Sequence, residues 1–173
     1  HIRIDGKDYI VIQLKNGDIK ILNRRGKDRI VVEDKIQYND NTVYSYLGSF
    51  TTSDNQGNII QIDTNGNFTR NNLNLSENSM INISDNKLIY ISEDILSIKG
   101  IDVKLPIGRY SKPKIFNISR NFFVGTTDLN DDNIYLFNDS GELVDGFPIK
   151  GSSSFDLVDS DLDGKLEVIS MID

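Results

Sequence analysis

Gly17-Asp18-Ile19-Lys20-Ile21-Leu22-Asn23-Arg24-Arg25-Gly26 decides the fold, because the chain repeats its pattern. A second copy is Gly57-Asn58-Ile59-Ile60-Gln61-Ile62-Asp63-Thr64-Asn65-Gly66. A third is Asp132-Asn133-Ile134-Tyr135-Leu136-Phe137-Asn138-Asp139-Ser140-Gly141. Each copy is a short apolar run followed by Asn/Asp, two variable residues and Gly. β-Branched Ile fits a pleated surface, and Asn, Asp and Gly supply turn conformations. Each copy therefore reads as a strand running into a hairpin turn. A weaker copy, Lys87-Leu88-Ile89-Tyr90-Ile91-Ser92-Glu93-Asp94-Ile95, carries Ile where the others carry Gly. Counted from Ile19, Ile59, Leu88 and Ile134, the spacings are 40, 29 and 46 residues.

Strand-like segments flank the strong copies. Residues 9–14, 44–49 and 122–126 precede them, and residues 29–32 and 142–144 follow the first and last. Each unit thus reads as about four short antiparallel strands in ~40–50 residues, the pattern of a β-propeller blade. One blade cannot bury both faces alone, so its neighbours must cover it. The expectation is all-β, a propeller arc of about four blades over 5–41, 42–85, 86–119 and 120–170. A sandwich of irregular hairpins is the competing reading. Ile4-Asp5-Gly6-Lys7-Asp8-Tyr9-Ile10-Val11 is echoed by Leu162-Asp163-Gly164-Lys165-Leu166-Glu167-Val168-Ile169. A closed four-bladed ring has no use for that duplicate, so the expectation is an arc completed by the remainder of a longer propeller.

Composition agrees. The 173 residues contain no Ala, Cys or Trp. Lack of Ala, the best helix former, argues against a helical bundle. Lack of Cys excludes disulfides and Cys-based zinc or iron–sulfur sites. A net charge of −7 disfavours nucleic acid as a partner. No apolar run approaches the ~20 residues of a membrane-spanning helix.

The sharpest chemical motif is Asp159-Ser160-Asp161-Leu162-Asp163-Gly164-Lys165-Leu166-Glu167. Carboxylates stand at loop positions 1, 3 and 5, Gly at 6 and Glu at 9, which is the first part of a calcium-loop pattern. Alternate carboxylates in a tight turn converge on one point. Asp159, Asp161, Asp163 and Glu167, with the Lys165 carbonyl, make an all-oxygen set suited to structural Ca²⁺. An acidic turn without metal is the plainer reading.

Gly146-Phe147-Pro148-Ile149, residues 152–155 and the loop from Asp159 to Glu167 resemble the FG-GAP repeat of integrin-like propellers. They are also similar to repeats of PQQ-type propellers of exported bacterial proteins. The resemblance covers about the last blade, residues 121–169. It implies that the acidic loop joins the outer strand of one blade to the inner strand of the next and binds Ca²⁺. The one histidine is His1, so the usual nucleophile–base pairs have no imidazole inside the chain. The expected function is a non-enzymatic protein-binding or scaffold propeller, exported to the periplasm or cell surface. Residues 71–84 and 128–133 are its expected contact surfaces. The alternative is a carbohydrate-active propeller using two carboxylates, or an accessory domain of one.

Overall fold

The computed structural model describes residues 1–37, 42–118, 120–160, 163 and 165–171. Among them every regular element is a strand. The first sheet takes β1 (Ile2–Ile4), β2 (Lys7–Gln13), β3 (Ile19–Leu22) and β4 (Asp28–Ile30) in chain order. The second takes β5 (Tyr44–Tyr46), β6 (Ser49–Ser53), β7 (Asn58–Ile62) and β8 (Phe68–Asn72). The third takes β9 (Met80–Ser84), β10 (Lys87–Ser92), β11 (Ile95–Ile98) and β12 (Ile101–Lys104). The fourth takes β13 (Lys114–Ile118), β14 (Asn121–Asp128), β15 (Asn133–Asn138) and β16 (Ile149–Lys150). Finally β17 (Asp156–Val158) and β18 (Glu167–Ile169) pair as a two-stranded sheet. No helix among the described residues is long and apolar enough to cross a membrane.

The chain divides into two compact units, His1–Lys87 and Leu88–Asp173. In the first, β1 lies beside β5 and β5 beside β9. In the second, the Lys114 ammonium of β13 donates to the Phe155 carbonyl at 2.8 Å and to Asp156, the first residue of β17, at 3.0 Å. Successive four-stranded meanders therefore meet at their first strands in the first unit, and in the second unit the first strand of the fourth sheet meets the first strand of the β17–β18 pair. This is how propeller blades pack, and the fold is all-β of the β-propeller class. The middle strands are buried in runs, as blades covered on both faces require: Phe50 to Ser53 in β6 and Val124 to Asp128 in β14 are all buried. In the first unit Ile2, Ile4, Ile21, Ile60 and Ile62 form one cluster, with Tyr9 edge-on to Phe50 at 5.0 Å between ring centres.

The repeated sequence has a local cause. Asn23 Oδ1 accepts the Arg25 and Lys27 N–H groups, Asp63 Oδ1 those of Asn65 and Asn67, and Asn138 Oδ1 those of Ser140 and Glu142. The Asn/Asp of each copy thus caps the turn from third to fourth strand, and the Gly three residues on takes the left-handed backbone the turn needs. A second regularity has no sequence signature. After each fourth strand the chain doubles back and donates backbone N–H to the turn between second and third strands. The pairs are Ile36 to Gly17, Leu75 to Gly57, Leu105 to Asp94 and Gly151 to Asp132. Gly57 has φ +83°, and a Cβ there would stand 2.5 Å from the Leu75 carbonyl oxygen.

Two expectations about the repeat change. The weak copy at Lys87 is the second strand of its sheet, whereas the strong copies are third strands. The true third strand begins at Ile95, so third strands starting at 19, 58, 95 and 133 are spaced 39, 37 and 38 residues apart. It escaped notice because Lys99-Gly100 closes its hairpin in two residues, without the Asn/Asp cap. The sheets span 2–30, 44–72, 80–104 and 114–150, against the expected blades 5–41, 42–85, 86–119 and 120–170. At the third and fourth sheets the offset arises because each opens on a first strand of 5 residues that the pattern alone leaves with its predecessor.

Candidate functional site

The acidic loop connects β17 to β18, and the register sets Val158 across from Glu167 at its mouth. It lies within one antiparallel pair, not between an outer strand and the next inner strand as the resemblance implied. Glu167 Oε2 accepts the Ser160 N–H at 2.7 Å and the Ser160 hydroxyl at 2.8 Å. Asp163 Oδ1 accepts the Lys165 N–H at 2.8 Å, and its Oδ2 accepts the Lys165 ammonium at 2.9 Å. Asp159 is half-buried at the exit of β17. Asp161, with Leu162 and Gly164, lies outside the described residues. Among the described residues no three His, Asp or Glu side chains converge as a metal site. The structure thus brings Glu167 to Ser160 and Asp163 to Lys165, closing the loop through its own side chains.

A second loop, missed in the sequence, runs from Leu105 to Ser111. It is held at both ends by backbone hydrogen bonds. The Leu105 N–H donates to the Asp94 carbonyl at 2.8 Å, the Ser111 N–H to the Thr127 carbonyl at 2.8 Å, and the Leu129 N–H to the Arg109 carbonyl at 2.7 Å. The Tyr110 hydroxyl donates to the Pro106 carbonyl at 2.7 Å, tying the loop to itself. Leu105 and Tyr110 are buried, yet Ile107 at the tip is 92 % exposed. Leu105-Pro106-Ile107 parallels Phe147-Pro148-Ile149 in sequence, and the fold decides that Ile107 faces water.

Under this loop lies Asp128, fully buried at the end of β14. Its Oδ1 accepts the Asn130 N–H at 2.9 Å, while no hydrogen-bond donor reaches Oδ2. A Cβ at Gly108 would stand 2.5 Å from that oxygen, so the glycine backbone packs directly on the carboxylate. Asp54, at the corresponding corner of the second sheet, engages both oxygens, with the Gln56 and Asn58 N–H groups and the Asn58 side-chain amide. Burial pushes the Tyr110 phenol well above its usual range, and the Asp128 charge adds to this. Tyr135 is raised for the same two reasons, burial first. Both phenols therefore stay protonated near neutral pH, and that of Tyr110 donates to the Pro106 carbonyl. Asp128 itself was expected on a contact surface; it is interior.

No family model matches the chain, and no curated protein matches it. Its likenesses are to solved structures. It is similar to the computationally designed protein Ika8, with a TM-score of 0.59 and 16 % identity over 95 % of this chain. It is similar to a protein of unknown function from Bacteroides caccae, with a TM-score of 0.50 and 11 % identity over 87 % of this chain. The chain spans 56 % and 64 % of the length of those two structures. BamB from Moraxella catarrhalis matches with a TM-score of 0.37 and 12 % identity over 90 % of this chain and 77 % of that one. The first two are likenesses of fold alone.

Proposed function

We propose that this chain is a non-enzymatic binding propeller that presents its connecting loops to a protein partner. The observation that carries this reading is Ile107. A large apolar side chain stands 92 % exposed at the tip of a loop pinned at both ends. Leaving it in water forgoes about 1.5–3 kcal/mol of burial. A pinned loop pays little further ordering cost on binding, which is how a few residues come to dominate an interface. Capture on the immobilised native chain and on Ile107→Asp tests it. Proteins retained by the native chain and lost by the variant support the reading; identical sets refute it.

Calcium at the acidic loop belongs to the same proposal. Asp159, Asp161, Asp163, Glu167 and the Lys165 carbonyl would hold the ion, which would replace the Lys165 ammonium beside Asp163 and pin β17 to β18. The supporting feature is chemical: closely spaced carboxylates repel one another unless a cation is present. An exported setting suits such a loop, because calcium is abundant outside the cytoplasm. The finer likeness to FG-GAP or PQQ-type repeats stands on the same residues.

A further inference from the structure

We propose that the first sheet carries an anion-binding cradle, built from Arg3, Arg24 and Arg29 around Asp8, whose occupant is an acidic peptide segment. The site is separate from the Ile107 loop and does not depend on it.

The strand register assembles it. Arg3 of β1 stands across from Asp8 of β2. In the β2–β3 register Ile10 faces Leu22, so the continuation of β3 brings Arg24 to Asp8 from the other side. Asp8 is 7 % exposed. Its Oδ2 pairs with the Arg24 guanidinium, and Arg3 stands 3.8 Å from Oδ1. The His1 ring shares Oδ1 at 3.0 Å. Arg29 donates to the Asp8 backbone carbonyl at 3.2 Å and lies over the Tyr9 ring at 4.9 Å from its centre.

Two guanidiniums, Arg3 and Arg24, therefore converge on one carboxylate, and a third, Arg29, holds the backbone carbonyl of the same residue. Each carries five N–H donors, far more than Asp8 can accept. Arg3 is 64 % and Arg24 75 % exposed, so the remaining donors face solvent. Arg25 and Lys27 flank them in the turn that Asn23 caps, and both are exposed. The cluster is strongly cationic in a chain whose net charge is −7. Corresponding turns of the other sheets lack it: the second places Asp63, Thr64 and Asn65 there, and the fourth Asn138, Asp139 and Ser140.

The chemistry selects the occupant. Arg presents a planar fork that matches a carboxylate with two parallel hydrogen bonds. Asp8 orients the forks before any ligand arrives, which lowers the ordering cost. Long phosphate polymers meet the repulsion of the whole acidic chain, whereas a short Asp/Glu segment needs only the local patch.

The test is fluorescence anisotropy of a labelled hexaglutamate peptide at low salt, with the whole chain. The expected result is saturable one-site binding, weakened about tenfold by Arg3→Gln, a loss of about 1.4 kcal/mol. Raising the salt should weaken it further, since the flanking charges are exposed. Arg3→Gln and Arg25→Gln both keep the Arg24–Asp8 pair, so folding is preserved while the cradle loses charge. Arg120→Gln, outside the cradle, should bind like the native chain. Absence of saturable binding, or undiminished binding in both Arg3→Gln and Arg25→Gln, overturns the proposal. Tighter binding of inorganic phosphate than of the peptide also overturns it, by assigning the cradle to another anion.

Discussion

Two loops of the second unit, 105–111 and 159–166, are closed by different means. The first is fastened by backbone hydrogen bonds to Asp94, Thr127 and Leu129 and by two buried side chains, Leu105 and Tyr110. The second is fastened among its described residues by Glu167 on Ser160 and by Asp163 on Lys165, all at exposed or half-buried side chains. Backbone closure fixes a shape that persists without a ligand. Closure through exposed charges is weak, because water and salt compete for the same groups. The first loop is thus set in shape by the fold itself, whereas the second, on the proposed reading, would be completed by a cation.

Breaking the anchor of the first loop should have the largest effect. Leu105→Ala removes a buried side chain and should cost about 2–4 kcal/mol, read from the shift of a urea transition. Gly108→Ala comes next. Its Cβ would press on the buried Asp128 carboxylate, and overpacking of that kind costs about 1–3 kcal/mol. Tyr110→Phe deletes one hydrogen bond and should cost about 0.5–1.5 kcal/mol.

Titration sharpens the contrast. The Tyr110 phenol is raised above its ordinary value of 10.0, first by burial and then by Asp128. Its contribution to stability is fully present below the unfolded value and is lost as pH rises toward the folded one. Ultraviolet titration should therefore show one tyrosine ionising last, and Tyr110→Phe should remove that step. Tyr110 titrating with the exposed tyrosines would contradict its burial. At the second loop, calcium should raise the melting temperature and chelator should reverse the gain, as for any ligand that binds only the folded state. Asp163→Asn should reduce the shift. An unchanged melting curve would leave the loop as an acidic turn.

How far the sequence carries depends on whether a feature is local. Asn23, Asp63 and Asn138 cap their turns with their own neighbours, so the hairpins were legible. Short first strands such as Met80–Ser84 owe their state to pairing partners and escaped the pattern. Ile95–Ile98 was passed over in favour of Lys87–Ser92 because both are apolar runs and only strand order separates them. The acidic loop was legible as a motif, yet its place inside the β17–β18 pair depends on register. Ile107 and the Asp8 cradle were illegible as sites. The exposure of Ile107 is decided by Asp94, Thr127 and Leu129 holding the loop around it. Asp8 meets Arg24 only through the β2–β3 register, 16 residues away in the chain.

Amide hydrogen exchange tests the contrast between the loops most directly. The Leu105, Ser111 and Leu129 amides, bonded to backbone carbonyls, should exchange at least about tenfold more slowly than those of Ser160 and Lys165, which bond to side-chain carboxylates. Adding calcium should slow Ser160 and Lys165 and leave Leu105, Ser111 and Leu129 unchanged. Equally fast exchange in both loops without calcium would contradict the claim that the Ile107 loop is set in shape before any partner arrives.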